Sequence, residues 1–221
     1  MNTKYNFDYD FEKQERKKKI AGFFLGILRW AVEIAAVILL AYILVVYTVE
    51  QTDILDNSMA ETLSEGDTII INKLAFRKDS PKRYDLIVFR QGGDEHMFYD
   101  VKRVIGLPGE TIQIRDGEIY IKEVGADTET MLLEPYPVEP MQLAGFAAEP
   151  ITLDEDEYFV LGDNRNDSED SRFSTVGNVV TDDIVGMAWV RISPFTFVNK
   201  SNKDYVRPTP TPFGFVPETA E

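Results

Sequence analysis

A single long apolar run near the N-terminus constrains this chain more than any other feature. Residues 20–49 contain only two charged side chains, those of Arg29 and Glu33. A helix of about 20 apolar residues is long enough to cross the ~30 Å hydrocarbon core of a bilayer. Arg29 and Glu33 are four residues apart and can pair on one helix face near the start of the run. The run therefore predicts a transmembrane anchor over residues 20–49.

The charges on either side of the run predict its orientation. Residues 16–19 are all Arg or Lys, whereas Glu50 and Asp53 follow the run. The positive-inside rule then leaves residues 1–19 in the cytoplasm and residues 50–200 outside the cell membrane. A cleaved signal peptide is the alternative interpretation. The length of the run, with no small-x-small site directly after it, favours an uncleaved single-pass anchor.

The composition excludes several kinds of chemistry. The net charge is −15, yet residues 1–49 hold seven Lys or Arg and five Asp or Glu, so the acidic excess lies beyond the run. Such an acidic domain is poorly suited to contact phosphates, and we expect no nucleic-acid partner. The chain has no cysteine and one histidine, His96. Thiolate and multi-histidine metal sites are therefore excluded, and we expect no cofactor.

The rest of the chain has the pattern of an antiparallel β protein. Short runs rich in Ile, Val, Phe and Tyr predict strands at 68–72, 85–89, 97–105, 158–161 and 183–192. The segments Thr111–Arg115 and Glu118–Lys122 alternate in polarity around Asp116-Gly117, a typical two-residue hairpin turn. The predicted fold class is mainly β, an antiparallel sheet domain preceded by one transmembrane helix.

Two proline-containing stretches interrupt this pattern. Residues 125–150 contain four prolines and little periodicity, which predicts an irregular insertion between strands. Residues 201–221 contain four more prolines, which is typical of an extended C-terminal tail.

Three segments carry the candidate chemistry. The serine segment is DNSMAETL at residues 56–63, the lysine segment is KRVIGLPG at 102–109, and the final segment is GDNRNDSEDSR at 162–172. Taken singly, each has an ordinary interpretation: a loop serine, a solvated strand lysine and a polar turn. The final segment lacks the ligand pattern and the glycine of a calcium-binding EF-hand loop.

In this order, the three segments resemble the signature motifs of the type I signal peptidases, serine–lysine peptidases of family S26. The resemblance extends over about residues 20–195 and includes residues 66–73 and Gly186. It implies that Ser58 is the nucleophile and that Lys102 is the general base. A lysine can take this role only as a neutral amine, which desolvation by apolar neighbours favours.

The resemblance also assigns supporting roles. Ser168 corresponds to a serine that orients the lysine amine, while Asp170 and Arg172 correspond to a structural ion pair. The implied partners are secretory preproteins, cut after a small-x-small motif, and the lipid bilayer. We expect the protein to be a monomer. A triad through His96 is a weaker interpretation, because this histidine lies in an acidic, glycine-rich stretch.

The sequence departs from the family motif around the nucleophile. Glu61 stands where the family usually has proline. Asp56 stands where the family has Ser or Gly, and an ionised carboxylate cannot donate a hydrogen bond to an oxyanion. Residues 166–167 read Asn-Asp in place of the commoner Asp-Asn.

Two alternatives to an active signal peptidase are open. One, which Asp56 and Glu61 favour, is a catalytically weak or inactive membrane-anchored homologue that binds peptides. The other is a serine–lysine protease of the self-cleaving repressor type, against which the anchor and the absence of a DNA-binding half both argue.

Overall fold

The N-terminal unit is one long helix. The computed structural model describes residues 3–60, 62–91 and 98–198, and helix α1 covers Thr3–Thr48. Residues 16–48 of α1 are long and apolar enough to span a membrane, and none of their most apolar stretch is buried inside the protein. The helix also runs through residues that the sequence analysis assigns to a cytoplasmic segment. Arg29 and Glu33 form the expected i,i+4 pair, with 3.0 Å between Nε and Oε1.

The second unit begins at Val49 and is built from β-strands. The described strands are β1 Val49–Asp53, β2 Thr68–Asn72, β3 Leu86–Gln91, β4 Phe98–Gly106, β5 Thr111–Arg115, β6 Glu118–Lys122, β7 Thr130–Met131, β8 Ile151–Thr152, β9 Glu157–Leu161, β10 Val179–Val180, β11 Ile184–Arg191 and β12 Thr196–Phe197. Two short 3-10 turns cover Gly145–Ala148 and Thr181–Asp183.

These strands form two antiparallel sheets. The larger has the order β1-β2-β11-β3-β4-β9-β10, with β12 paired to β11. The smaller has the order β7-β6-β5-β8. Every pairing between described strands is antiparallel. The predicted fold class, mainly antiparallel β after one apolar helix, is confirmed.

The predicted hairpin has the turn that its sequence requires. Strands β5 and β6 have the predicted bounds, and Arg115 pairs with Glu118 across the turn. Asp116 has φ 52° and Gly117 has φ 80°, both in the left-handed region that a type I′ turn needs. A Cβ atom at position 117 would also lie only 3.0 Å from the Met141 carbonyl oxygen, and this close contact adds to the preference for glycine.

The centre of the large sheet supplies the buried platform for the site. Strand β4 lies between β3 and β9, and Val104, Ile87 and Val160 on these three strands are fully buried. Strand residues buried on both sides of a sheet give near-continuous apolar runs, as LIVF of β3 shows. A polar side chain in this layer loses contact with water and depends on protein partners.

The insertion at residues 125–150 packs against the final segment. Apart from β7 and one 3-10 turn it is irregular. The Glu134 carboxylate pairs with the Arg165 guanidinium, and both side chains are buried. The Leu143 carbonyl oxygen accepts a hydrogen bond from Arg172 Nη1 at 2.9 Å, and the Phe146 amide donates to the Arg172 carbonyl at 2.9 Å. The insertion is therefore part of the support of the final segment.

Candidate active site

Ser58 lies in the loop that joins the edge strand β1 to β2. The loop turns like one turn of helix, because the Leu63 amide donates to the Met59 carbonyl at 2.8 Å. The side chains of Met59 and Leu63 are fully buried and pack in one apolar cluster with Ile54. Burial of these apolar groups, at roughly 25 cal/mol per Å², anchors the loop on the sheet. It holds Ser58, which is itself only 3% exposed, in a fixed place.

Lys102 lies in the middle of β4, paired across the sheet with Ile87 of β3. Its side chain is fully buried, and its neighbours Val101, Val104 and Ile105 are buried too. Lys is almost never fully buried unless it is paired. The sheet therefore shields the Lys102 side chain from water.

The fold brings Ser58 and Lys102 into direct contact. Lys102 Nζ is 2.9 Å from Ser58 Oγ, although the two residues are 44 positions apart in the chain. This distance lies within the range over which a base can take the proton of a nucleophile.

Two carboxylates flank this pair. Asp56 Oδ1 accepts hydrogen bonds from Ser58 Oγ at 2.8 Å and from the Ser58 amide at 3.1 Å. Asp100 Oδ1 is 2.5 Å from Lys102 Nζ and also accepts the Val101 amide at 2.7 Å. The order of contacts is therefore carboxylate, amine, hydroxyl, carboxylate. This run of hydrogen bonds holds the amine and the hydroxyl of the pair in place.

Asp100 has a perturbed acidity. Its burial raises the pKa of the Asp100 carboxyl above its usual value, and the negative charge of Asp56 acts in the same direction. The charge and hydrogen bond of Lys102 and the hydrogen bond from the Val101 amide oppose this rise without cancelling it. Asp100 was not among the residues predicted from the sequence. The available signal was its spacing, because residues two apart on a strand point to the same face.

Among the described residues, no hydrogen bond joins Ser168 to the Lys102 amine. Its Oγ lies 3.5 Å from the Glu169 carbonyl oxygen. The hydrogen bond that the resemblance assigns to Ser168 is instead made by Asp100, whose ionised oxygen is the stronger acceptor for an ammonium group. Ser168 nevertheless lies near the site, since it packs against Gly162.

Gly162 joins the final segment to the nucleophile. A methyl group at this position would lie 2.5 Å from the Ser58 carbonyl oxygen and 2.1 Å from Ser168 Oγ. Only glycine permits so close an approach of the two backbones. The backbone N–H of Asn164 donates to the same Ser58 carbonyl oxygen at 3.0 Å. The final segment therefore fixes the backbone of the nucleophile from one side.

Asp170 and Arg172 form a buried ion pair behind Gly162. Asp170 Oδ1 is 2.8 Å from Arg172 Nε, and Oδ2 is 2.9 Å from Nη2. Asp170 Oδ2 also accepts the Gly162 amide at 3.1 Å. Arg172 Nη2 donates to the Arg165 carbonyl at 2.7 Å. The pair thus positions the Gly162 backbone against Ser58.

A second ion pair links all three segments. Arg103, next to Lys102, makes a two-fold contact with Asp163, at 2.7 Å from Nε to Oδ1 and 2.5 Å from Nη2 to Oδ2. Thr62 of the serine segment donates to Asp163 Oδ2 at 2.5 Å. The Arg103 guanidinium also lies 4.2 Å from the centre of the Tyr136 ring. Neither Arg103 nor Asp163 was given a role of its own from the sequence, because only the fold makes them neighbours.

Two residues discussed from the sequence, Glu61 and His96, lie outside the described residues. The C-terminal tail at 201–221 lies outside them as well.

A family model described as "Signal peptidase, peptidase S26" matches residues 27–193, which is more than half of the chain. This match decides the family. The chain belongs to the signal peptidase family, peptidase S26. It is therefore a serine peptidase, a hydrolase of the signal peptidase I type that acts on the signal peptides of secretory preproteins.

Individual relatives agree with the family. The chain is 33% identical over 165 residues to a probable signal peptidase I-2 of Synechocystis sp., covering 73% of this chain and 71% of the relative. It is 31% identical over 180 residues to signal peptidase I P of Bacillus subtilis subsp. natto, covering 80% and 94% of the two chains. A crystal structure of a signal peptidase I from Enterococcus faecalis V583 matches 49% of this chain and 97% of its own, at 31% identity and a TM-score of 0.33.

Proposed function

We propose that this protein removes signal peptides through a Ser58–Lys102 dyad. Ser58 is the nucleophile and Lys102 is the general base. One observation supports this assignment most directly: the Lys102 amine and the Ser58 hydroxyl lie 2.9 Å apart, and both side chains are buried. A serine next to a potential base, held by a third group, is the usual arrangement of an activated nucleophile.

The mechanism proceeds by acyl transfer. The neutral Lys102 amine takes the Ser58 proton while Oγ attacks the scissile carbonyl carbon, and the resulting ammonium gives that proton to the leaving amine. Water then attacks the acyl ester in the same way and frees Ser58. The Ser58 amide donates to the oxyanion. Asp56 must first release both this amide and the Ser58 hydroxyl, because its carboxylate accepts hydrogen bonds from both groups in the described conformation.

The substrate binds as an extended strand. Family membership gives the substrate class, and we propose cleavage after a small-x-small motif. Strand β1 lies at one end of the large sheet and leads directly into the loop that carries Ser58. Main-chain pairing to such an edge would present a scissile bond to the hydroxyl.

The anchor places the peptidase domain outside the cell membrane. Residues 16–48 have the length and composition of one membrane span. The basic residues before this span and the acidic residues after it orient the N-terminus toward the cytoplasm. We propose a monomer with one span.

Cleavage of a preprotein by the full chain in detergent tests the dyad. The preprotein carries Ala-x-Ala before its cleavage site. We expect cleavage by the unmodified protein, none by Ser58→Ala or Lys102→Ala, and full cleavage by Ser64→Ala, an exposed serine in the same loop. The rate rises from neutral to mildly alkaline pH, because the base is an amine.

The same experiment contains the results that would contradict the proposal. No cleavage by the unmodified protein, where a reference signal peptidase cuts the same preprotein, argues against the activity. Full activity of Lys102→Ala, or a rate that does not change over this pH range, argues against the lysine base.

A peptide-binding homologue with little turnover is the second candidate. The observation that favours it is the Asp56 carboxylate, which holds both the Ser58 amide and the Ser58 hydroxyl. This candidate predicts that a signal peptide binds to the detergent-solubilised chain without being cut, and that Ser58→Ala does not change its Kd.

A further inference from the structure

The Lys102 amine is held between two acceptors of different origin. Ser58 Oγ comes from the loop after β1, while Asp100 Oδ1 comes from the strand of Lys102 itself. A lysine side chain has four rotatable carbon–carbon bonds and three equivalent donors, so one hydrogen bond does not fix the place of its amine. A second acceptor at 2.5 Å restricts the amine to one position beside Ser58 Oγ.

Asp100 is itself fixed in place. Its Oδ1 accepts the Val101 amide at 2.7 Å, and the residue is only 9% exposed. The backbone of residue 100 is paired with Phe89 of β3. The carboxylate therefore belongs to the rigid sheet, in contrast to an acceptor at the end of a loop.

We propose that Asp100 is a positioning residue of the active site, which holds the Lys102 amine against Ser58 Oγ. The inference deepens the proposed function and rests on it. It assigns to a strand carboxylate the orienting contact that the resemblance gives to Ser168. Asp100 does not touch the reacting atoms of the substrate, so it acts through the lysine.

A carboxylate in this place also affects the proton on the amine. The charged groups that act on Asp100 are Lys102 beside it and Asp56 across the site. A negative charge next to an amine favours the ammonium form of that amine. An uncharged amide at position 100 keeps an acceptor oxygen but removes the charge.

Kinetics of preprotein cleavage by Asp100→Ala and Asp100→Asn test the inference. We expect Asp100→Ala to lower kcat by about tenfold or more and to leave KM within about twofold, since misplaced catalytic groups impair the chemical step. Asp100→Asn recovers most of this loss. Its rate rises with pH at a lower pH than that of the unmodified protein. Ser168→Ala causes a smaller loss of kcat than Asp100→Ala.

Four results would overturn the inference. They are a kcat of Asp100→Ala within twofold of the unmodified protein, a loss that appears entirely in KM, an Asp100→Asn variant no better than Asp100→Ala, and an unshifted pH profile of Asp100→Asn. Thermal unfolding shows whether each variant folds. If Asp100→Ala does not fold, the pH profile of Asp100→Asn decides alone.

Failure of this inference is separable from failure of the proposed function. If the unmodified protein cleaves the preprotein, Ser58→Ala does not and Asp100→Ala is fully active, then the dyad stands and only the role of Asp100 is rejected. If the unmodified protein is inactive, both the proposed function and this inference are rejected.

Discussion

Two buried basic side chains of this domain, Arg172 and Lys102, differ in their hydrogen-bond partners. Arg172 is held by Asp170 through two nitrogen–oxygen contacts and by two backbone carbonyl oxygens. Lys102 has one carboxylate contact, and its other contact is to a hydroxyl group. The exposed fraction is 1% for Arg172 and 0% for Lys102, so burial does not distinguish them.

The difference lies in what each cation can give up. A guanidinium stays charged and matches a carboxylate through a flat, two-pronged contact, so the Arg172 pair is permanent. An ammonium is a point charge that can lose a proton, and the hydroxyl beside it can supply one. The first cation holds the backbone of the site in place, and the second is suited to proton transfer.

Removal of the Lys102 amine has the largest expected effect on cleavage. Lys102→Met keeps the length and apolar stem of the side chain but removes the amine. We expect cleavage to fall by about a thousandfold or more, as it does when the base of a serine protease is lost. Circular dichroism checks that the fold is retained. Lys122→Met, on an exposed strand position, is the matched control and keeps full activity. Comparable activity in the two variants would contradict a role of the Lys102 amine in proton transfer.

Removal of the structural partner acts on stability. Asp170→Ala leaves the buried Arg172 guanidinium without its carboxylate, which costs about 3–5 kcal/mol of unfolding free energy. Denaturant unfolding measures it. Asp167→Ala, an exposed acidic residue of the same segment, changes the unfolding free energy by about 0.5 kcal/mol or less. If both variants unfold at the same denaturant concentration, the buried pair does not support the fold as described.

A methyl group at Gly162 tests how the two regions depend on each other, because it would push the segment held by the Asp170–Arg172 pair away from Ser58. Gly162→Ala must displace the Ser58 carbonyl oxygen or Ser168 Oγ, and we expect kcat/KM to fall by about a hundredfold. Gly125→Ala has a left-handed φ but open space around it, so it costs about 1 kcal/mol of stability without loss of cleavage. Normal cleavage by Gly162→Ala would show that the close approach is not needed.

The smallest expected effect is a gain. Asp56→Ser replaces the carboxylate that accepts the Ser58 amide with a hydroxyl that can donate to an oxyanion. We expect kcat/KM to rise by about tenfold, less than the full value of one oxyanion donor. Steady-state cleavage of the preprotein measures it, with Asp127→Ser, at an exposed position of the insertion, as the control that keeps the unmodified rate. An unchanged or lower kcat/KM would indicate that Asp56 does not hinder the oxyanion.

The sequence predicted best what depends on near neighbours. The β5–β6 hairpin has the predicted bounds, because its alternation and its Asp-Gly turn are both local signals. Strand β1 was missed, since VEQTD follows directly on an apolar run and carries no apolar alternation of its own. The helix ends at Thr48, one residue before the predicted end of the anchor.

The parts that sequence reasoning missed depend on long-range pairing. Glu134 lies in a stretch described from sequence only as an insertion, and its partner Arg165 is 31 positions away. No spacing rule connects two such residues before the sheets are assembled. Asp100 is a different case: its distance of two residues from Lys102 was visible, but only the position of Ser58 shows which face of the strand is used.

The order in which the site residues and their supporting residues occur along the chain has a consequence for biosynthesis. Ser58 and Lys102 are both made before residue 103, while Gly162 and the Asp170–Arg172 pair that hold the Ser58 backbone come at least 60 positions after Lys102. A ribosome that moves from the N-terminus therefore releases nucleophile and base long before it releases their scaffold. Completion of the site has to wait for the last third of the polypeptide, whatever the order in which the individual strands form.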